Sequence, residues 1–142
     1  SASGPELPRW AVLMLLLGMW FPLVAAVSLL RKMSDPSSPP DRAKYLFVNS
    51  VVWSLAYGAY CYWILAARNG TFALQSGEQF GPVDGFALSL GNLTTTGLVG
   101  AAPVDDLGRA FISLQQLVFM FLILVCLAHL NARWKPRGEG AR

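Results

Sequence analysis

Three long segments that are mostly apolar and carry no charge dominate the pattern of the chain. Residues 10–30, 45–67 and 110–130 contain no Lys, Arg, Asp or Glu. A helix of about 20 such residues is long enough to cross the hydrocarbon core of a bilayer. Each segment therefore predicts a transmembrane helix, and the predicted fold class is an all-α membrane protein with three spans.

A fourth apolar segment is too short to cross a bilayer. Residues 83–93 read VDGFALSLGNL, and Asp84, which follows Pro82 and Val83, has a side chain that often caps a helix start. At membrane depth a short helix is tolerated only where protein or a water-filled cavity surrounds it. The pattern therefore predicts a re-entrant helix over residues 84–93, which runs into the loop NLTTTGLVG at residues 92–100.

Polar segments flank and separate these helices. We expect residues 1–9 to form an extracellular tail, and their first few residues, which lack a starting Met, to be a remnant of expression. Residues 31–44 are rich in Pro and Ser, which predicts a cytoplasmic linker that does not continue a helix. Residues 132–142 predict a basic cytoplasmic tail.

The basic residues are distributed unevenly between the two sides of the predicted membrane. One side holds the larger group, which comprises Arg31, Lys32, Arg42, Lys44, Arg133, Lys135, Arg137 and Arg142. The other side holds Arg9, Arg68 and Arg109. Cytoplasmic loops carry an excess of Lys and Arg. We therefore expect an extracellular N-terminus, a cytoplasmic linker and C-terminus, and an extracellular location for residues 69–109.

The composition agrees with a membrane protein and excludes several other classes. The 142 residues are 54% hydrophobic and 13% charged, against about 25% charged in soluble domains. The net charge is +3, but the basic residues form no stripe with interleaved aromatics, so no nucleic-acid partner is expected. Neither cysteine has the spacing of a metal or redox site. No catalytic triad or nucleotide-binding loop is present, so we predict no enzyme, no cofactor and no bound metal apart from permeant cations.

The order of span, short helix, Thr-rich loop and span resembles the pore module of tetrameric potassium channels. Many bacterial two-span channels carry a pattern like DALYFSVTTLTTVGYGDIVPVTPLGR, and residues 84–109 align with it without gaps. The matching positions are Asp84, Ser89, Leu93, Thr94, Thr95, Gly97, Pro103, Val104, Leu107, Gly108 and Arg109. The resemblance implies a pore module over residues 45–131, with an outer helix at 45–68, a pore helix at 84–93, a filter at 94–100 and an inner helix at 108–131.

The resemblance also implies roles for individual residues in a homotetramer around a four-fold axis. Ion coordination by backbone carbonyls and Thr hydroxyls falls to Thr95, Thr96, Gly97, Leu98 and Val99. The residues expected to support the filter and pore helix are Asp84, Ser89, Asn92 and Thr94. The candidates for the cavity or gate are Gln115, Phe119 and Ile123. Asp105 and Asp106 are expected at the outer mouth, where they either concentrate cations or form an ordinary solvated turn.

Three departures from the family pattern bear on selectivity and gating. Leu98, Val99 and Gly100 replace the Tyr, the second Gly and the Asp of a potassium filter, so selectivity is expected to be reduced. A single-Gly TTTGL loop is also similar to the filter loops of Trk and Ktr transporters. Phe119 replaces the common hinge glycine, and either gates by dewetting or serves as plain packing. Gln115 stands where many relatives have Glu, and either lines the cavity or bonds to the pore helix.

The function that we expect is therefore a potassium-channel-like cation channel conducting K⁺ or Na⁺. Its partners would be the lipid bilayer, three further copies of itself and monovalent cations, and its location a bacterial plasma membrane. Two alternatives stay open, a non-conducting pore-like subunit that assembles with or regulates a partner, and a small transporter. The first span, which is additional to the two-span pattern, is expected to pack against a ridge of small residues, Ser50, Ser54 and Gly58, or against a neighbouring chain.

Overall fold

The computed structural model describes residues 5–33, 40–94, 96 and 100–134, and this part of the chain is mostly helical. Four helices and two short strands occur in it. Their bounds are α1 Arg9–Met33, α2 Pro40–Asn69, β1 Phe72–Leu74, α3 Pro82–Leu93, β2 Ala101–Pro103 and α4 Asp106–Trp134.

The helices form one bundle with two distinguishable ends, in which α1, α2 and α4 each contact the other two. The backbone N–H of Leu7 donates to Asn69 Oδ1 at 2.9 Å, so α1 begins where α2 finishes and the two helices run antiparallel. The backbone N–H of Val104 donates to the Thr71 carbonyl at 2.8 Å, which places the start of α4 at the same end. We call this the loop end, and we call the end that holds Met33, Pro40 and Trp134 the linker end.

Two of the helices are long and apolar enough to cross a membrane. These stretches are Lys44–Asn69 in α2 and Asp106–Ala128 in α4. The prediction of membrane-length helices is confirmed for this pair. α1 is a helix of 25 residues with Pro22 inside it, and its described apolar part, Arg9–Ala25, is shorter than the other two. The third span stays a prediction.

The predicted linker over residues 31–44 is wrong at both of its ends. α1 continues to Met33, and α2 already begins at Pro40. A Pro at the first helical position fits a helix because its fixed φ is helical and its missing N–H would have no partner there. Residues 34–39 lie outside the described part. At the other terminus α4 extends to Trp134, so the first three residues of the predicted tail are helical.

The all-α prediction missed a small antiparallel sheet at the loop end. Phe72 pairs with Pro103, Ala73 with Ala102, and Leu74 with Ala101. The Gln75 backbone N–H extends this ladder by donating to the Gly100 carbonyl at 2.6 Å. The sheet therefore fixes the chain just after the loop to the chain just after α2.

Two apolar clusters fill the interior of the bundle. The loop-end cluster includes Tyr62, Leu65, Phe72 and Phe111, all buried, and the rings of Tyr62 and Phe72 meet edge to face at 5.1 Å. The linker-end cluster consists of Val118, Phe119, Leu122 and Val125, with partly buried residues of α1 and α2 around it.

Candidate functional site

α3 enters the helix bundle from the loop end and stops halfway. A Cβ atom on Gly85 would lie 2.5 Å from the Ala59 carbonyl oxygen, so the start of α3 packs directly on the last third of α2. One turn further, Ser89 Oγ donates to the Leu55 carbonyl at 2.9 Å. Leu93 then packs on the linker-end cluster together with Leu55, which lies in the middle of α2. The chain returns to the loop end by Gly100.

The start of α3 differs from the prediction in detail. Pro82 occupies the first turn and Gly81 is the capping residue, whereas Asp84 is the third residue of the helix. Asp84 Oδ2 accepts the Gly81 backbone N–H at 2.8 Å. The prediction that Asp84 is the cap is therefore wrong. Its carboxylate instead accepts the backbone N–H of the residue before the helix. A carboxylate in the first turn also interacts favourably with the helix dipole.

At the other end of α3 two threonine hydroxyls lie side by side. Thr94 ends the helix, and its Oγ1 lies 3.2 Å from the Gly91 carbonyl oxygen. The Thr96 backbone N–H donates to the same carbonyl at 3.0 Å, and the two hydroxyl oxygens are 2.7 Å apart. Both side chains are exposed. The other predicted coordinating residues, Thr95, Gly97, Leu98 and Val99, lie outside the described part of the chain.

Behind α3 a buried amide joins three helices. Gln115 of α4 is fully buried. Its Nε2 donates to the Ser54 carbonyl of α2 at 3.0 Å and to Ser89 Oγ of α3 at 2.7 Å. Its Oε1 accepts from Tyr62 Oη at 2.6 Å and from Asn92 Nδ2 at 2.9 Å. Gln115 was expected either to line the cavity or to bond to the predicted pore helix, and the structure shows the bond to the helix.

Asn92 and Tyr62 complete this network of hydrogen bonds. Asn92 Nδ2 also lies 2.9 Å from Tyr62 Oη, which accepts from it. Both side chains are buried, with 2% of Asn92 and none of Tyr62 exposed. We use the term amide network for Ser54, Tyr62, Ser89, Asn92 and Gln115. Ser54 contributes its backbone carbonyl, and each of the other four contributes a side chain that bonds to another helix, as buried polar groups require.

Gly58 provides the space that the amide network occupies. A Cβ atom there would collide with Gln115 Nε2 and would lie 2.8 Å from Ser89 Oγ. Ser54 and Gly58 of the predicted ridge therefore face α3 and α4, whereas Ser50, its third member, lines a cavity together with Phe21 and Pro22 of α1. α1 packs on an adjacent side of α2, where Tyr57 Oη donates to the Leu15 carbonyl at 3.1 Å and Phe21 meets Trp53 at 5.7 Å.

Two predicted cavity or gate residues are internal to the chain. Gln115 is 0% exposed and Phe119, one turn further along α4, is 2% exposed. Phe119 lies in the linker-end cluster, so the packing alternative is the correct one. Ile123 lies off that face and is 44% exposed. The open face of α4 carries a different stripe, Leu117, Met120, Leu124 and Leu127, which are all exposed.

The acidic pair at the start of α4 has a clear local role. Asp105 Oδ1 accepts the Gly108 backbone N–H at 3.0 Å, which caps the helix. Asp106 contacts Arg109 at 3.1 Å in an ion pair that is open to solvent. The structure thus favours the solvated-turn interpretation of this pair, although both carboxylates remain exposed.

Sequence reasoning missed the place of Tyr62 in this network, and it treated Ser54 only as a small residue of a packing ridge. A tyrosine near the end of a span is typical of the interfacial aromatic belt, yet the ring of Tyr62 is in the core. The available signal was the presence of Asn92 and Gln115 within apolar segments, since such residues face the protein interior. Their buried partners were not predictable without the fold.

Comparisons of the chain with protein-family models, curated proteins and solved structures gave no match. The residues that the structure describes contain no group of three or more His, Cys, Asp or Glu suited to a metal ion.

Proposed function

We propose that this chain is one subunit of a homotetrameric cation channel that conducts K⁺ or Na⁺ through a four-fold loop. The observation that carries the proposal is the course of α3, which ends at the middle of α2 and leads to two exposed threonine hydroxyls. If α2 and α4 span the bilayer, these hydroxyls lie near its midplane. Oxygen atoms at that depth can replace the hydration shell of a cation.

The direction of α3 supports the same proposal. A helix carries a partial negative charge at its C-terminus, where the last carbonyl groups are unpaired. Leu93 and Thr94 therefore bring negative potential to the middle of the bundle. In a tetramer four such helix ends would converge, which lowers the free energy of a cation in a medium of low dielectric constant.

Exposed apolar residues support the oligomer. Irregular backbone at membrane depth has to be surrounded by protein or water, and one copy of the loop cannot enclose an ion. Phe86 and Leu90 of α3 are exposed in the single chain, as is the stripe on α4. In the proposed assembly neighbouring subunits cover α3 and part of α4, and the rest of this surface meets lipid.

The remaining expectations belong to the same proposal. α1 is the third span, and the linker end faces the cytoplasm of a bacterial cell. Thr95, Thr96 and Gly97 coordinate the permeant ion with their oxygens, whereas Leu98, Val99 and Gly100 reduce selectivity because they break the second half of a potassium filter. The exposed Asp105 and Asp106 add negative potential at the outer mouth.

Reconstitution in liposomes tests the proposal. Wild-type protein should carry K⁺ or Na⁺ flux above that of empty liposomes and should have the mass of a tetramer in nanodiscs. Thr95→Ala should reduce the flux because one hydroxyl ligand per subunit is lost, while Ser76→Ala, an exposed hydroxyl in a turn outside the loop, should not. Absence of flux from a stable assembly would instead support the non-conducting subunit, and saturable uptake coupled to another ion would support the transporter.

A further inference from the structure

We propose that Gln115 is a positioning residue that sets the ion selectivity of the loop by holding the end of α3. This inference rests on the proposed channel function. Gln115 does not touch the ion path itself, since its side chain is fully buried among α2, α3 and α4. It acts through Ser89 and Asn92.

The Gln115 amide has no free hydrogen-bonding capacity. A primary amide offers two N–H donors and an oxygen with two lone pairs. Both donors are used, by the Ser54 carbonyl and by Ser89 Oγ. The oxygen accepts two bonds, from Tyr62 and from Asn92. The orientation of the amide is therefore fixed from four directions, and it fixes α3 at two positions one turn apart.

A short path leads from the amide to the loop. The Asn92 side chain donates a hydrogen bond to Gln115, and the carbonyl of its neighbour Gly91 accepts the Thr96 backbone N–H at 3.0 Å. The Thr94 hydroxyl is 3.2 Å from the same Gly91 carbonyl. A displacement of Asn92 would thus move Gly91, whose carbonyl contacts both described loop threonines. Ion coordination by carbonyl and hydroxyl oxygens is sensitive to such displacements, since selectivity depends on the number and geometry of the ligands.

Apolar contacts hold α4 in place independently of the amide. Phe111 belongs to the loop-end cluster, and Val118 and Phe119 belong to the linker-end cluster, so buried contacts lie on both sides of Gln115. Met is close to Gln in length and shape but lacks the amide, and volume-conserving substitutions are the best tolerated in cores. Gln115→Met should therefore keep the fold and remove the four amide hydrogen bonds.

The experiment is a double-mutant cycle on the K⁺ to Na⁺ permeability ratio. The variants are Gln115→Met, Tyr62→Phe and their combination, each reconstituted in liposomes. Two matched controls are available on the same helices. Gln116→Met replaces the half-buried neighbour of Gln115, and Tyr60→Phe removes the hydroxyl of a tyrosine that is 50% exposed.

Two of the four hydrogen bonds that Gln115→Met removes hold α3, those to Ser89 and Asn92. We therefore expect the variant to change the permeability ratio by about tenfold, the scale of losing one or two buried hydrogen bonds. Tyr62→Phe should shift the ratio in the same direction. The double variant should shift it by less than the two single effects combined, because both residues belong to one network. Each control should stay within about twofold of wild type. A Gln115→Met ratio equal to that of its Gln116→Met control would overturn the proposal.

Amide hydrogen exchange in nanodiscs supplies a readout that does not require conduction. Gln115→Met should accelerate exchange at residues 91–96 and leave residues 118–125 unchanged. If the wild type carries no flux, the channel proposal fails, and local acceleration would still support the positioning role of the amide. Equal acceleration along all of α4, or none at residues 91–96, would overturn it, as would local acceleration with an unchanged permeability ratio in a conducting protein.

Discussion

The loop-end and linker-end halves of the helix bundle are stabilised in different ways. Toward the loop end, the described residues form the amide network, the Asp105 cap, the small sheet and the bond from Leu7 to Asn69. Toward the linker end, Val118, Phe119, Leu122 and Val125 form a purely apolar cluster. The hydrogen bonds between described helices are thus concentrated beside the candidate site.

The two halves therefore contribute differently: the linker-end cluster mainly stabilises the fold, whereas the amide network mainly sets the positions of the helices. Hydrophobic contacts are non-directional, so the linker-end cluster favours close packing without fixing one arrangement. Hydrogen bonds require particular distances and angles, so the amide network defines how α3 lies against α2 and α4. The half that holds the loop is therefore the half whose geometry is fixed by hydrogen bonds.

Phe119→Ala should give the largest loss of stability, with a smaller effect on the loop than a variant of the amide network. The side chain is buried in the linker-end cluster, and replacement of a buried Phe by Ala costs about 3–5 kcal/mol. Thermal or denaturant unfolding in detergent measures the loss. Met120→Ala, the exposed neighbour, is the control and should have a much smaller effect. Because Leu93 also packs on this cluster, some increase in amide exchange at residues 91–96 is expected, but exchange faster than in Gly58→Ala would contradict the separation of the two halves.

Gly58→Ala should be less destabilising but should act on the loop. The new methyl group would collide with Gln115 Nε2, and overpacking of this kind costs about 1–3 kcal/mol. The amide has to move, so exchange at residues 91–96 should rise along with the loss of stability. Ala56→Val adds volume on the exposed face of the same helix and serves as control. If amide exchange at residues 91–96 were unchanged in Gly58→Ala, the amide network would not control the position of the loop.

The sequence predicted the positions of the helices well for a physical reason. Runs without charge are recognisable residue by residue, and α2, α3 and α4 each lie within a few residues of the predicted bounds. The face that each helix buries was harder to predict. A helix that is apolar all round has no polar stripe to mark its outer side, so neither Tyr62 in the core nor Phe119 in the linker-end cluster could be placed from periodicity.

The errors at element boundaries have a different cause. A proline in a Pro-rich segment usually marks a break in helical structure. Pro40 instead occupies the first position of α2 and begins that helix. The strands are three residues long, and β2 reads Ala-Ala-Pro, which lacks strand-favouring residue types. They pair because α2 and α4 bring Thr71 and Val104 together. Such pairing is a consequence of tertiary structure and leaves no local sequence signal.

The smallest predicted effect concerns the start of α4, where substitutions of Asp105 and Asp106 should change stability to different extents. Asp105 accepts the Gly108 backbone N–H, and loss of a capping side chain costs about 1 kcal/mol. Asp106 pairs with Arg109 in the solvent, where an ion pair adds little. Asp105→Ala should therefore lower the unfolding temperature more than Asp106→Ala, in detergent at low salt. If both carboxylates also act at the mouth of the channel, the two variants should reduce cation flux at low ionic strength to a similar extent, because electrostatic attraction depends on charge and not on the cap. Equal losses of stability would argue against the cap, whereas a flux reduced only in Asp105→Ala would show that the pair acts through the fold.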